Sequence, residues 1–200
     1  MVKNILFVCT GNTDRSPLAE YAFREIAKNE GATGIEIRSA GTSVGKDIPN
    51  GMSGNSKFVL QKKLNVPEEV TSKHTSRQLT KELVDWADLI VPMTESHKMN
   101  VIRLIPNIDR SKVRKLMTFA NSNTDVSDPF GMNVDAYFRT YDLILPALKS
   151  LAKQVKLGNF IDMQQQEVNN TVLPSKINLK VPEKKDIDWA DFDDKYDDNI

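Results

Sequence analysis

Two hundred residues, 40% of them hydrophobic and 27% charged, allow one domain with a sizeable core and exclude a fibrous or wholly unfolded chain. The 27 basic and 27 acidic side chains cancel, and no apolar stretch is long enough to span a bilayer, so neither a nucleic-acid nor a membrane partner is expected. The single cysteine, Cys9, offers no disulfide framework and no cysteine-based zinc site, and a strand stands where a signal sequence would be. A reducing cytoplasm is therefore the expected location, with no metal and no cofactor.

The run Ile5-Leu6-Phe7-Val8 reads as a buried strand ending at Cys9, because it is apolar, rich in β-branched and aromatic residues, and breaks into Thr10-Gly11. Ser16-Pro17 reads as a helix start, with Ser16 as cap and an apolar face formed by Ala19, Ala22, Phe23, Ile26 and Ala27. Further strands are expected at Ile35 to Ser39, Asp88 to Met93 and Val113 to Phe119, with helices around Ser56 to Leu64, from Lys81 to Trp86 behind a Thr80 cap, and after Ser96. Strands alternating with helices predict an α/β fold, three layers with a central four-stranded parallel sheet of Rossmann-like type. Gly41 to Lys46 has the look of a nucleotide-binding loop but is one residue short between its glycines, and Asp47 stands where Ser or Thr would bind magnesium; a rim loop near the site is expected instead. Asp128-Pro129-Phe130-Gly131 follows a polar stretch and belongs to a surface loop. After it, Val134, Phe138, Tyr141, Leu145, Leu148, Ala152 and Val155 recur at three and four residues, a long helix with Pro146 inside.

Residues 158–200 change character. They carry 10 acidic and 5 basic residues, against 17 and 22 before them, so a basic domain (1–157) precedes an acidic tail. They are expected to form a solvated, disordered tail; the alternative is a short helix, for which Trp189, Phe192 and Tyr196 are spaced, docking on a partner or on the domain, with Asp194 to Asp197 as a pseudo-substrate.

The chemistry concentrates on the loop from Cys9 to Ser16. Between a strand and a helix N-terminus, unpaired N–H groups and the helix dipole form a cradle for an anion. A cysteine at its rim feels the same field, which lowers its pKa and favours a nucleophilic thiolate. Arg15 can clamp two phosphoryl oxygens, and Ser16 can donate to the thiolate. Asp128 is suited to protonate a leaving group, since a phenolate is a poor one at neutral pH, and Phe130 to wall its pocket. The competing readings are an inert buried cysteine and an ordinary turn aspartate.

Together these residues resemble the low-molecular-weight protein tyrosine phosphatase family over roughly residues 3 to 157, close to its bacterial protein-arginine phosphatases. The resemblance implies the phosphotyrosine protein phosphatase I-like fold, with Cys9 as nucleophile, Arg15 as clamp and Asp128 as general acid. It also implies phosphate or substrate contacts from Thr10, Gly11, Asn12, Thr13, Asp14, Ser16 and Phe130, and a loop-shaping network of Asn12, Ser39 and His74. For His74 a helix-flanking surface imidazole remains the other reading, and His97 reads as a solvated helix start without a role. Two departures stand out. Many members carry a second cysteine where this chain has Asp14, so Cys9 lacks a disulfide partner against over-oxidation; the Asp14 carboxylate is expected to point outward. Thr13 stands where tyrosine-directed members tend to be aliphatic and arginine-directed ones carry threonine, whose hydroxyl can bond a guanidinium.

The expected function is therefore a cysteine-dependent protein phosphatase working through a phosphocysteine, on phosphotyrosine, with a phosphoarginine-specific enzyme as the alternative. A non-catalytic phosphate-binding module and a thioredoxin-coupled arsenate reductase rank lower, the latter because its further cysteines are missing. The expected partner is a phosphorylated protein.

Overall fold

In the computed structural model, residues 2–45 and 51–158 are described. The tail with Trp189, Phe192 and Tyr196, and Lys46 and Asp47 of the rim loop, lie outside them.

Strand β1 (Asn4–Cys9) is the centre of a parallel sheet ordered β2-β1-β3, with β2 at Glu36–Gly41 and β3 at Leu89–Pro92. Ile5, Leu6, Phe7 and Val8 are wholly buried because both faces of β1 are covered. Strand alternation divides them: Ile5, Phe7 and Cys9 join the core beneath α1 (Arg15–Glu30), α2 (Gly54–Leu64) and α6 (Val134–Leu157), while Leu6 and Val8 join the one built with α4 (Lys81–Trp86) and α5 (Glu95–Leu104). The three-layer α/β/α arrangement follows, and it puts Cys9, paired with Gly41, at the carboxyl end of the central strand.

Three details differ from expectation. The fourth strand, Val113 to Phe119, contracts to one parallel bridge, Ile90 with Val113, followed by a 3₁₀ turn at Leu116–Ala120. That turn buries Leu116, Met117 and Phe119 without extending the sheet, and Asn121, at φ 55°, closes it in the left-handed region that asparagine tolerates. Ser16 is not the cap of α1; Asp14 holds that position, and Pro17 falls inside the first turn where its missing N–H costs nothing. A short helix, α3 (Glu68–Thr71), was not foreseen. The caps Thr80, Thr94 and Asn133 each accept from a backbone N–H of their helix's first turn. Helix α6 runs through Pro146, which lies on its exposed side, where water can serve the carbonyl left without a donor.

Candidate active site

The loop after β1 wraps around the sulfur of Cys9. The Asn12 amide donates to Cys9 Sγ at 3.3 Å, and Ser16 Oγ lies 2.9 Å from it. Asn12 holds the turn at φ 57°, with its polar groups fixed from several sides. Its Nδ2 donates to Ser16 Oγ (3.0 Å) and Ser39 Oγ (2.8 Å), and its Oδ1 accepts from the Arg77 amide (2.9 Å). Its carbonyl accepts from His74 Nε2 (2.9 Å) and Ser76 Oγ (3.1 Å).

These bonds order the protons. The buried Glu20 carboxylate only accepts, so Ser39 donates to its Oε2 (2.5 Å), while Arg24 pairs with its Oε1. Ser39 therefore accepts from Asn12, and Asn12 donates also to Ser16. Ser16's own proton is left for Cys9, the competing Ala40 carbonyl being 3.4 Å away. Gly41 of β2 permits the approach: a Cβ there would come within 2.4 Å of the Thr10 carbonyl oxygen.

Arg15 is buried and makes three bonds, Nη1 to the Val126 carbonyl (3.2 Å) and Nη2 to Thr10 Oγ1 (3.2 Å) and Asp128 Oδ2 (2.5 Å). The Asp128 loop is tied down at Val126, whose amide donates to the Met93 carbonyl (3.0 Å), and at Asp125, whose Oδ1 accepts from Lys115 Nζ (2.8 Å) and the Glu95 amide (3.0 Å). Beyond that, Asp128 is half-exposed and Phe130 stands 64% exposed at the rim. Residues of the Cys9–Arg15 loop, Asp128 and Phe130 enclose a cavity of about 120 Å³.

Residues 4–159 match the profile described as low molecular weight phosphotyrosine protein phosphatase. The chain belongs to this family. It is 39% identical over 157 residues to the protein-arginine-phosphatase of Bacillus subtilis (strain 168), covering 76% of this chain and 97% of that one. It is 31% identical over 141 residues to the low molecular weight protein-tyrosine-phosphatase PtpB of Staphylococcus haemolyticus (strain JCSC1435), covering 70% and 91%. Among solved structures it is similar to the YwlE arginine phosphatase, in a cysteine-to-serine mutant with a phosphorylated active site serine (TM-score 0.67, 39% identity, 76% of this chain and 95% of that one). The chain is a protein phosphatase, a hydrolase, of this family.

All the site residues expected from the sequence come together here, Ser39 and His74 included, and His74 is a buried member of the Asn12 cluster rather than a surface imidazole. Burial pushes the His74 imidazole below its ordinary pKa, against the pull of its bond to Asn12. Three expectations need correction. Burial raises the Cys9 thiol above its ordinary value; the bonds from Ser16, the Arg15 charge and the Asn12 amide oppose this without overcoming it. Asp14 points inward, 4% exposed, and accepts from Thr13 Oγ1 at 2.7 Å. Tyr137 of α6 is its neighbour, and the phenol is pushed up to about 12, by burial first and then by the Asp14 carboxylate. His97 is not a solvated helix start: it is 5% exposed, with Nε2 2.9 Å from Thr10 Oγ1 and Nδ1 2.9 Å from Thr94 Oγ1. Burial and Arg15 lower its pKa to about 4, so it is neutral at pH 7 and able to brace Thr10 without adding charge beside Arg15.

Glu20 and Lys115 were missed altogether. Glu20 carried a signal, a carboxylate among Ala19, Ala22 and Phe23 on the buried side of α1. His97 carried a weaker one, its place in the first turn after β3, at the end of the sheet where ligands collect.

Proposed function

We propose that this phosphatase acts on phosphoarginine in proteins, with Cys9 as nucleophile, Arg15 as phosphoryl clamp and Asp128 as acid and then base. In the first step Cys9 Sγ forms a bond to phosphorus in line with the leaving nitrogen. The P–N bond breaks, its electron pair goes to nitrogen, and a proton from Asp128 completes the arginine. In the second, Asp128 takes a proton from water, the water oxygen bonds to phosphorus, and the S–P bond breaks to return the thiolate and release inorganic phosphate. The loop amides and the N-terminal end of α1 favour the three equatorial oxygens throughout. Ser16 holds the sulfur's charge, Asn12 with Ser39 and His74 keep the loop in shape, and Thr10 and Gly11 contribute to the cradle.

The observation that carries the substrate reading is Thr13, a hydroxyl in the wall of the cavity that holds Cys9 and Asp128. A guanidinium leaving group brings N–H donors to that oxygen, whereas an aryl group brings none. Phosphotyrosine is the second reading, favoured by Phe130, whose exposed ring at the rim can stack on a departing phenol. Initial rates on one peptide carrying either phosphoarginine or phosphotyrosine test the choice. A higher kcat/KM for phosphoarginine is expected; equal or inverted values reject it.

The lone cysteine, bare of any partner for a disulfide, supports action in the reducing cytoplasm, and no helix among the described residues is long and apolar enough to cross a membrane. Residues 1–157 form the catalytic domain in this reading. If the acidic 158–200 extension bears on catalysis, a chain ending at Leu157 should differ from the full chain in KM at low salt but not at high salt; identical kinetics at both would leave it a solvated tail.

A further inference from the structure

Asp14 occupies the N-cap position of α1, where an aspartate ordinarily accepts from the N–H groups of the first turn. Here its side chain makes no such bond. Oδ2 instead accepts the Thr13 hydroxyl at 2.7 Å, the Tyr137 phenol of α6 also hydrogen-bonds the carboxylate, and Oδ1 is buried without a further partner among the described residues. A carboxylate buried in a loop that must receive a phosphoryl dianion, and withheld from its usual capping role, is costly in three ways: desolvation, an unmet acceptor and like-charge repulsion. The helix N-terminus, Arg15 and the Tyr137 phenol offset part of that cost, and the bond from Thr13 fixes the side chain inside the loop.

A hydroxyl carries one proton and two acceptor lone pairs. With its proton committed to Asp14, Thr13 Oγ1 can only accept from whatever enters the cavity. We infer that Asp14 is a positioning residue for substrate choice: by taking the Thr13 proton it makes the cavity wall an acceptor, matched to a leaving group that bears N–H donors and mismatched to one that offers only an ester oxygen and an aryl edge. The carboxylate's charge acts in the same direction, since it attracts a cationic guanidinium and gives nothing to a neutral ring. This rests on the phosphoarginine reading and deepens it, because it names a residue that sets substrate choice through Thr13.

The test is a double-mutant cycle in the full chain, read as the ratio of kcat/KM for a phosphoarginine peptide to that for the same peptide with phosphotyrosine. A loss of folded protein scales both rates alike and leaves the ratio unmoved. Asp14→Ala frees the Thr13 proton and should lower the ratio about tenfold, the size of one hydrogen bond. Asp14→Asn, whose amide oxygen can still accept from Thr13, should recover part of that loss. In a Thr13→Val background, Asp14→Ala should change the ratio less than twofold, because nothing is left for it to orient. An unchanged ratio in Asp14→Ala, or an equal fall with and without Thr13, overturns the inference while the wild-type preference for phosphoarginine stands. A wild-type enzyme that turns over phosphotyrosine alone overturns both.

Discussion

The two loops that meet in the cavity are held to very different degrees. In the Cys9 loop, Asn12, Thr13, Asp14, Arg15 and Ser16 are all 6% exposed or less, and Asn12 alone is bonded to five other residues of the cluster and to the Cys9 sulfur. In the Asp128 loop, the firm ties stop at Asp125 and Val126. Asp128 itself rests on Arg15 and on the Phe130 amide, and Phe130 and Met132 are exposed. The contrast follows the chemistry. Phosphorus, sulfur and three oxygens have the same geometry in every turnover, so the groups around them gain from being fixed in advance. The leaving group is one side chain of a large protein, so in the proposed mechanism the residue assigned to protonate it has to reach outward.

This comparison predicts a hierarchy of effects. Arg15→Lys keeps the charge but loses the planar fork and its three anchors, and kcat/KM should fall about 10²–10³-fold on any substrate. A loss below about fivefold would mean that the rigid loop is not what binds the phosphoryl group. Asp128→Asn should lower kcat about 10²-fold for poor leaving groups and far less for an activated aryl phosphate such as a nitrophenyl ester. A loss that is the same for both would assign Asp128 to binding rather than proton transfer.

Ser16→Ala sharpens the comparison on the sulfur. Burial already raises the Cys9 pKa and the Ser16 hydroxyl lowers it, so removing that hydroxyl must raise it further. The rate of Cys9 alkylation should then require a higher pH to reach its half-maximum, measured by iodoacetamide labelling across pH. A profile that stays in place would show that Ser16 does not stabilise the thiolate.

The effect furthest from turnover is on stability and concerns His97. Its folded pKa, about 4, lies below the ordinary 6.5, so between those values the unfolded chain binds more protons and stability falls as the pH drops. The loss amounts to at most about 3 kcal/mol. In His97→Gln the denaturation midpoint should vary less across that window than in the wild type, although His74, also depressed by burial, keeps part of the slope. Identical slopes would contradict the buried, neutral imidazole.

The architecture was legible where burial leaves an unambiguous pattern. A four-residue apolar run before Cys9 can hardly be anything but a central strand, and the three-four spacing of α6 predicts its length to the residue at Val134 and nearly so at Leu157. Val113 to Phe119 misled because a short apolar stretch has no period long enough to separate a strand from a turn that buries the same side chains. At the site, Cys9, Arg15 and Asp128 could be identified from local chemistry. The direction of the Asp14 carboxylate, the hidden Glu20 and the brace from His97 to Thr10 could not, since each depends on a partner on another element, or on a choice between two local ones.

In the proposed mechanism a buried sulfur held by Ser16 and Asn12 carries the phosphoryl group between the two half-reactions. Acid quenching of the full chain during turnover of an aryl phosphate, followed by peptide mass analysis, tests it directly. A phosphate should appear on the peptide containing Cys9, formed as fast as the phenol burst and absent in Cys9→Ala. Phosphate released with no such adduct, or turnover that survives Cys9→Ala, would contradict it.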